Sequence, residues 1–310
     1  MKNRCRSGTK VYNGILNIYK EKGYTSHDVV AKLRGILKQK KIGHTGTLDP
    51  DAQGVLPVCL GSATKLCDMF TNKDKVYETT MLLGCVTDTQ DISGKKIKES
   101  CISVTETQLI ENIQKFQRTY AQIPPMYSAI KINGKKLYEL AREGKEVERK
   151  GREVTIYQIE ILSIDIPHVK MRVFCSKGTY IRTLCHDIGQ QLGCGACMED
   201  LVRTKAGLFC QENSFFLSEI EKYKKEDRIE EILLPVEEVL CDYKKCFIKA
   251  EYQKIVDNGN PFFCHQLKEK SELDFHNPIR VYDGTEKFVG IFQYQKEKNM
   301  FFPIKMFLER

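Results

Sequence analysis

Across residues 26–38, Val29, Val30, Leu33, Ile36 and Leu37 recur at helical spacing, which predicts an amphipathic helix. Thr25 or Ser26 stands where a side-chain oxygen can take up its first free amides. The other face and the exit carry Lys32, Arg34, Lys38, Lys40 and Lys41. A glycine-rich loop over 43–54 follows, then an apolar run to Leu60, and 76–83 reads as a strand. Thr105-Glu106-Thr107-Gln108 has the spacing of a capping box and opens a helix through Leu109, Ile113 and Phe116. Residues 155–166 are rich in β-formers, with Ile159, Ile161, Ile164 and Ile166 suggesting alternation. After the break at Pro167-His168, Val169, Met171 and Val173 alternate with Lys170 and Arg172, a second strand. The period then lengthens: Ile181, Leu184, Cys185, Ile188 and Leu192 form a helical stripe that stops at Gly193.

Beyond a charge-dense stretch at 219–231 the chain turns apolar again at Leu233-Leu234-Pro235. Near its end, 279–282 and 288–292 flank Asp283-Gly284 in the pattern of a hairpin. The expected class is α+β, with one large unit over 1–245 and a small β-rich unit over 246–310. No internal repeat is visible.

Composition narrows the class. Of 310 residues, 41% are apolar and 29% charged, enough to bury a core and too mixed for a disordered chain. No apolar run approaches the roughly 18 residues of a membrane span, and no apolar core follows the basic residues 1–6, so a cytoplasmic protein is expected. Lys and Arg number 49 against 41 Asp and Glu, a net charge of +8 that suits an anionic partner such as RNA. The 13 cysteines are odd in number and scattered, which speaks for free thiols. The one C-x-x-C, Cys194 to Cys197, has no second pair at zinc spacing, since Cys241 and Cys246 are wider apart; no metal is expected.

The sequence contains no G-x-G-x-x-G after a strand, no phosphate-binding P-loop, no H-E-x-x-H and no G-x-S-x-G, which argues against nucleotide-cofactor and NTP-driven chemistry. Gly43-His44-Thr45-Gly46 matches the G-x-x-G of KH domains, but two fixed positions in four carry little weight. The densest signal is the stretch GHTGTLDPDAQGVLP at 43–57. Its glycines let backbone approach a ligand closely, and Pro50 holds Asp49 out of the helical region. Two readings of Asp49 are open on these grounds: an ordinary Asx turn, or a carboxylate whose direction is fixed by backbone and which serves as nucleophile or base.

Several separated motifs resemble those of the TruB family of tRNA pseudouridine synthases. They are Gly14-Ile15-Leu16 with Lys20, Gly23 and Thr25-Ser26, the 43–57 loop, and Lys75-Val76-Tyr77. Further on come IPPMYSAIKINGKKLYELAREG at 123–144, CSKGTYIRTL at 175–184 with LGCGA after it, and Leu201-Val202-Arg203-Thr204. They span about residues 10–210 in the family's order and spacing. One departure is Glu21, where the family usually has proline after the lysine.

The resemblance implies a catalytic domain on a mixed, mainly antiparallel sheet with flanking helices, followed by a PUA-like RNA-binding domain. It implies isomerisation of uridine to pseudouridine at position 55 of the tRNA T-loop, with base flipping. Neither a cofactor nor a protein partner is then expected, and the compact layout fits bacterial members rather than the rRNA-directed relatives that work with partner proteins. By the same resemblance Asp49 is the catalytic aspartate, Arg182 pairs with it, and Tyr77 stacks on the target base and takes a proton late in the reaction. Tyr180 stands beside Tyr77, His44 helps fill the vacated stack, and Leu201 lines the base pocket. Lys20, Lys131 and Arg203 are expected to contact phosphates. Hydrolysis would instead need a second carboxylate to activate water, and Asp51, two residues further along an extended loop, points elsewhere.

Overall fold

The computed structural model describes residues 10–268 and 275–308; the basic residues 1–6 lie outside them. The amphipathic stretch forms the helix Ser26–Leu37. Thr25 settles its start: Thr25 Oγ1 accepts from the Asp28 amide at 3.0 Å, and Asp28 Oδ2 accepts from the Thr25 amide at 2.8 Å. Thr105 and Gln108 build the same reciprocal cap on the helix Glu106–Gln114. The third expected helix, Ile181–Leu192, ends at Gly193 with φ 80°, a left-handed position that glycine takes without a Cβ clash.

The main sheet runs in the order Gly14–Lys20, Gln53–Leu60, Ala196–Ala206, Lys75–Leu83, His168–Cys175, Arg152–Asp165, Thr119–Gln122. All neighbours are antiparallel except Gln53–Leu60 and Ala196–Ala206, which meet in parallel at Val202 with Gln53 and Arg203 with Gly54. That order brings three distant motifs side by side, because Arg203 is opposite Tyr77 on one flank and Gly54 on the other. In Lys75–Leu83 every second residue is buried, and Tyr77 is in that inward row. The isoleucine alternation expected over 155–166 is broken by register shifts between Ile156 and Gln158 and between Ile161 and Ser163. The first shift changes which parity faces the core, so Val154, Ile156 and Ile159 are all buried, and Ile166 is exposed beyond the strand's end at Asp165.

The helices Glu106–Gln114 and Ile181–Leu192 cover one region of the sheet, burying Leu109, Ile113, Leu184 and Ile188 against Met81, Met171 and Val173. The helix Ser26–Leu37 packs Val29, Leu33 and Leu37 on Leu16, Ile18, Leu56 and Val58. Between Gln122 and Arg152 the chain leaves the sheet and makes a hairpin, Lys131–Ile132 with Lys135–Lys136, and a helix, Leu137–Arg142, on a small core of Met126, Leu137 and Leu140. No described helix is long and apolar enough to cross a membrane.

A second sheet of four strands, Lys244–Phe247, Ile279–Tyr282, Phe288–Gln295 and Met300–Met306, closes the described chain. The hairpin at Asp283-Gly284 is wider than a two-residue turn: the connection spans 283–287, and Asp283 Oδ1 accepts from the amides of Thr285 and Lys287. This sheet has its own core of Phe262, Phe292 and Phe301, yet Tyr282, Phe288, Ile291 and Phe307 share a cluster with Ile15, Val55, Phe70 and Phe209 of the first unit. Lys305 also pairs with Asp68 at 2.8 Å. A continuous core couples the two sheets mechanically. Ile291→Ala is therefore expected to cost about 2–5 kcal/mol of the stability of the whole chain, in a single calorimetric transition. Two separated transitions would show that the sheets fold independently.

Candidate active site

The loop between Ile42–His44 and Gln53–Leu60 is tied down residue by residue. Ser26, freed from capping, accepts from the Leu48 amide through its hydroxyl at 2.9 Å. The Ala52 amide donates to the Asp49 carbonyl at 3.1 Å, and the Gly23 amide to the Pro50 carbonyl at 2.9 Å. At the loop's exit Gly54 adopts φ +103°, and a Cβ there would lie 2.2 Å from the Arg203 carbonyl oxygen, so only glycine fits.

Asp49 emerges from this frame and meets Arg182 in a two-pronged contact, Nε to Oδ2 at 3.1 Å and Nη2 to Oδ1 at 3.3 Å. The guanidinium is 5% exposed, while the carboxylate side chain keeps 41% of its surface open. The rest of the guanidinium is also occupied. Nη1 donates to the Thr89 carbonyl at 3.1 Å and pairs with Asp91 Oδ2 at 3.4 Å, and Nη2 donates to the Tyr127 carbonyl at 2.8 Å. Three of these contacts are hydrogen bonds and two, to Asp49 Oδ2 and Asp91 Oδ2, are ion pairs, so each nitrogen of the buried cation has a partner. Enclosure by the pocket walls pushes the Asp49 carboxyl above its ordinary range; Arg182 opposes this and Asp91 adds to it.

Asp49 lies between two openings. One is a cavity of about 450 Å³ lined by Tyr77, Tyr180, Ile181, Leu201 and Lys75. The other is a broader cleft of about 870 Å³, with His27, Asp91, Lys136, Tyr138 and Arg142 on its walls. The first falls within the size range of ligand pockets and pairs aromatic walls with a single carboxylate. Burial pushes the hydroxyls of Tyr77 and Tyr180 above the ordinary tyrosine value, so both are neutral phenols near neutral pH.

Of the residues expected from the sequence, Asp49, Tyr77, Tyr180, Arg182 and Leu201 converge on the cavity. His44 is not among its lining residues: its ring meets His27 edge-on at 5.3 Å, and its Nδ1 accepts from the Gly46 amide at 3.3 Å. Burial pushes it below the ordinary histidine range. Lys131 is exposed on the hairpin of the 123–151 insertion.

Lys20 and Arg203, expected at phosphates, are both buried with their charged ends on main-chain carbonyls. Lys20 has no exposed surface, and its ammonium donates to the carbonyls of Tyr24 at 2.6 Å, Pro50 at 3.0 Å and Glu21 at 3.1 Å. Burial pushes its pKa down to about 8. Arg203 is 2% exposed, although part of it borders the cavity, and it donates to the carbonyls of Val55 at 2.7 Å and Gly46 at 3.3 Å. Lys20 thus holds the aspartate loop at Pro50, next to Asp49, and Arg203 ties its start at Gly46 to Val55 beyond its exit, because main-chain carbonyls enclosed by the fold need donors once water is excluded. Sequence reading missed Asp91, Thr89 and Tyr127. Asp91-Ile92-Ser93-Gly94 carries a turn signal, which marks a loop and says nothing of what the loop touches. The thiols of Cys194 and Cys197 are both buried.

Comparison with known proteins supplies an independent line. The profile of the TruB family pseudouridylate synthase N-terminal domain matches residues 34–181, and that of the tRNA pseudouridylate synthase B C-terminal domain matches 182–241. The tRNA pseudouridine synthase B of Lachnoclostridium phytofermentans is 53% identical over 309 residues, covering 96% of this chain and all of the relative. That of Clostridium novyi is 48% identical over 279 residues, covering 90% and 94%. Among solved structures, a chain of an H/ACA ribonucleoprotein bound to a substrate RNA containing 2′-deoxyuridine superposes with a TM-score of 0.72. It is 26% identical, with 96% of this chain and 86% of that one covered.

The role assigned to Lys20 can be separated from phosphate binding. Lys20→Met removes the ammonium donor from the carbonyls of Tyr24 and Glu21 and leaves Pro50 with the Gly23 amide alone, so stability should drop by about 1–3 kcal/mol in denaturant unfolding. The log–log salt slope of RNA binding should stay unchanged. A slope shallower by nearly one would restore a phosphate contact.

Proposed function

The chain belongs to the TruB family of pseudouridylate synthases, and from that premise we propose that it isomerises uridine 55 in the T-loop of tRNA, with Asp49 starting the reaction. Enzymes of this family convert uridine to pseudouridine in tRNA. The observation that carries the assignment of Asp49 is the half-open carboxylate held by a fully occupied arginine at the floor of an aromatic-walled cavity.

The isomerisation breaks the bond from N1 to C1′, turns the base, and joins C5 to C1′. The proton lost from C5 is matched by one gained at N1, so atoms balance and no electrons are exchanged. A single carboxylate suffices to begin, whether by attack or by assisting loss of the base. Arg182 keeps Asp49 ionised against the enclosure that raises its pKa, and it fixes the direction of the attacking oxygen. Tyr77 and Tyr180 supply faces on which the turned base stacks, with Leu201 as the apolar wall. Because burial holds the Tyr77 phenol protonated, stacking is its primary role, and acceptance of the C5 proton needs a change of surroundings once RNA is bound.

A uridine inside a folded loop must be extruded to reach this cavity, at a cost of a few kcal/mol. In this reading His44, neutral and paired edge-on with His27 beside the aspartate loop, takes up part of the vacated stack. Lys131, together with Lys136 and Arg142 on the insertion, offers cations to the backbone of the stem. The unit over 246–310 serves as a PUA-like RNA-binding domain. The reading requires neither cofactor nor protein partner, and it places the enzyme in the cytoplasm, where tRNA is its substrate.

Asp49→Asn should abolish pseudouridine formation while tRNA affinity stays within about threefold, since binding is spread over many phosphate contacts. Residual turnover within tenfold of the parent enzyme would overturn the assignment. The single-turnover rate should rise with pH along one acid limb, centred above the ordinary aspartate value of about 3.9. The sign follows from the ionised form being the reactive one and from enclosure raising its pKa. Turnover should also survive dialysis against EDTA without added nucleotide; restoration of a dialysed, inactive enzyme by zinc would count against a metal-free reaction.

A further inference from the structure

The helix that carries Arg182 begins badly by its own sequence. Tyr180 is its N-cap residue and provides no side-chain hydrogen bond to the first-turn amides. Arg182 stands in the first turn, where the helix dipole disfavours a cation. Left to itself this end would fray, and the guanidinium would lose its register with Asp49.

An outside group holds it. Gln122, the last residue of Thr119–Gln122, is 1% exposed, and its carboxamide grips the main chain of Tyr180 from both sides. Gln122 Oε1 accepts from the Tyr180 amide at 2.8 Å, and Nε2 donates to the Tyr180 carbonyl at 3.1 Å. The second Nε2 proton goes to the Tyr120 hydroxyl at 2.8 Å, which fixes the orientation of the amide. A side chain distant by 58 residues in sequence thus stands in for a neighbouring strand at this one position. Gln122 is also the residue from which the chain departs into the insertion, and five residues on the Tyr127 carbonyl binds Arg182 itself. The base of the insertion therefore holds the helix start at Tyr180 and Arg182 itself.

We propose that Gln122 is a positioning residue for the isomerisation: it fixes the start of the helix Ile181–Leu192, and so the place where Arg182 meets Asp49. The inference rests on the catalytic reading of Asp49 and Arg182 given above. Gln122 touches neither carboxylate nor cavity, and it acts through backbone. A displacement of about 1 Å at a reacting group can cost on the order of a hundredfold in rate, so losing both grips should be visible in turnover.

The test is single-turnover kinetics on T-stem-loop RNA at saturating enzyme, over a range of pH, for Gln122→Ala and Gln122→Glu. Glutamate keeps the shape and the acceptor for the Tyr180 amide and removes both donations. In Gln122→Ala the rate should fall about 10- to 100-fold with RNA affinity within about threefold, and Gln122→Glu should fall in between. The acid limb should also move to higher pH. Four charged groups face Asp49, namely Arg182, Asp91, Lys20 and Asp51, and loosening Arg182 removes the largest influence favouring the ionised form. A folded Gln122→Ala with parental rate and acid limb would overturn the proposal, as would a lower rate with the limb unmoved, which marks general loosening. Should the alanine variant fail to unfold cooperatively, the same two readouts on Gln122→Glu decide. Asp49→Asn run in parallel separates the two claims: turnover there would sink the catalytic reading itself rather than the part played by Gln122.

Discussion

A buried guanidinium organises this site. Taking a cation out of water costs several kcal/mol unless every donor finds an acceptor, and Arg182 is almost wholly enclosed. Its three nitrogens reach the Asp49 carboxylate, Asp91, and the carbonyls of Thr89 and Tyr127. Those acceptors come from the aspartate loop, the turn after Cys85–Thr87, and the insertion that follows Gln122. Three segments far apart in sequence must therefore close together around one side chain, and a defect in any of them leaves a buried donor unmet. The same requirement leaves Asp49 with one face bound and one face open, which is the condition for a carboxylate to react.

The aspartate loop follows the same logic with the signs of the partners reversed. Buried cations supply donors to its carbonyls, Lys20 at Pro50 and Arg203 at Gly46, and Arg203 also reaches Val55 in the strand that follows. Charges that a surface reading would assign to RNA are consumed in shaping the backbone. The parallel contact of Gly54 with Arg203 then brings the loop beside Tyr77, so register in the sheet sets the distance between carboxylate and aromatic wall.

Rigidity is distributed unevenly and in a way that suits the substrate. The main sheet and the C-terminal sheet share one apolar cluster, so they behave as a single support. The insertion has only the small core of Met126, Leu137 and Leu140 to hold it, and few buried contacts mean low local stability. It is also the element that touches Arg182 through Tyr127 and flanks the cleft through Lys136, Tyr138 and Arg142. The least supported segment is thus tied to the residue that pairs with Asp49.

Local sequence determined a good deal of this protein. The three helices, their caps at Thr25, Thr105 and Gly193, and the strand that presents Tyr77 follow from spacing and from the hydrogen-bonding habits of a few residue types. The motif at 43–57, read with its family resemblance, singled out Asp49, and the similarly matched Arg182, Tyr180 and Leu201 stand around it. Only the tertiary structure decided what the cations do. A lysine or arginine reads the same in sequence whether it faces water or three carbonyls, and burial alone turned Lys20 and Arg203 from expected phosphate ligands into struts. Asp91 and Tyr127 were invisible for a related reason, since nothing in a turn or in a main-chain carbonyl announces which distant donor it will meet. The strand Ala196–Ala206 carries Leu201 and Arg203, and its sheet neighbours are set by long-range order that no short-range period records. Period and capping are local physics and can be read along the chain; the pairing of buried polar groups is a property of the closed fold.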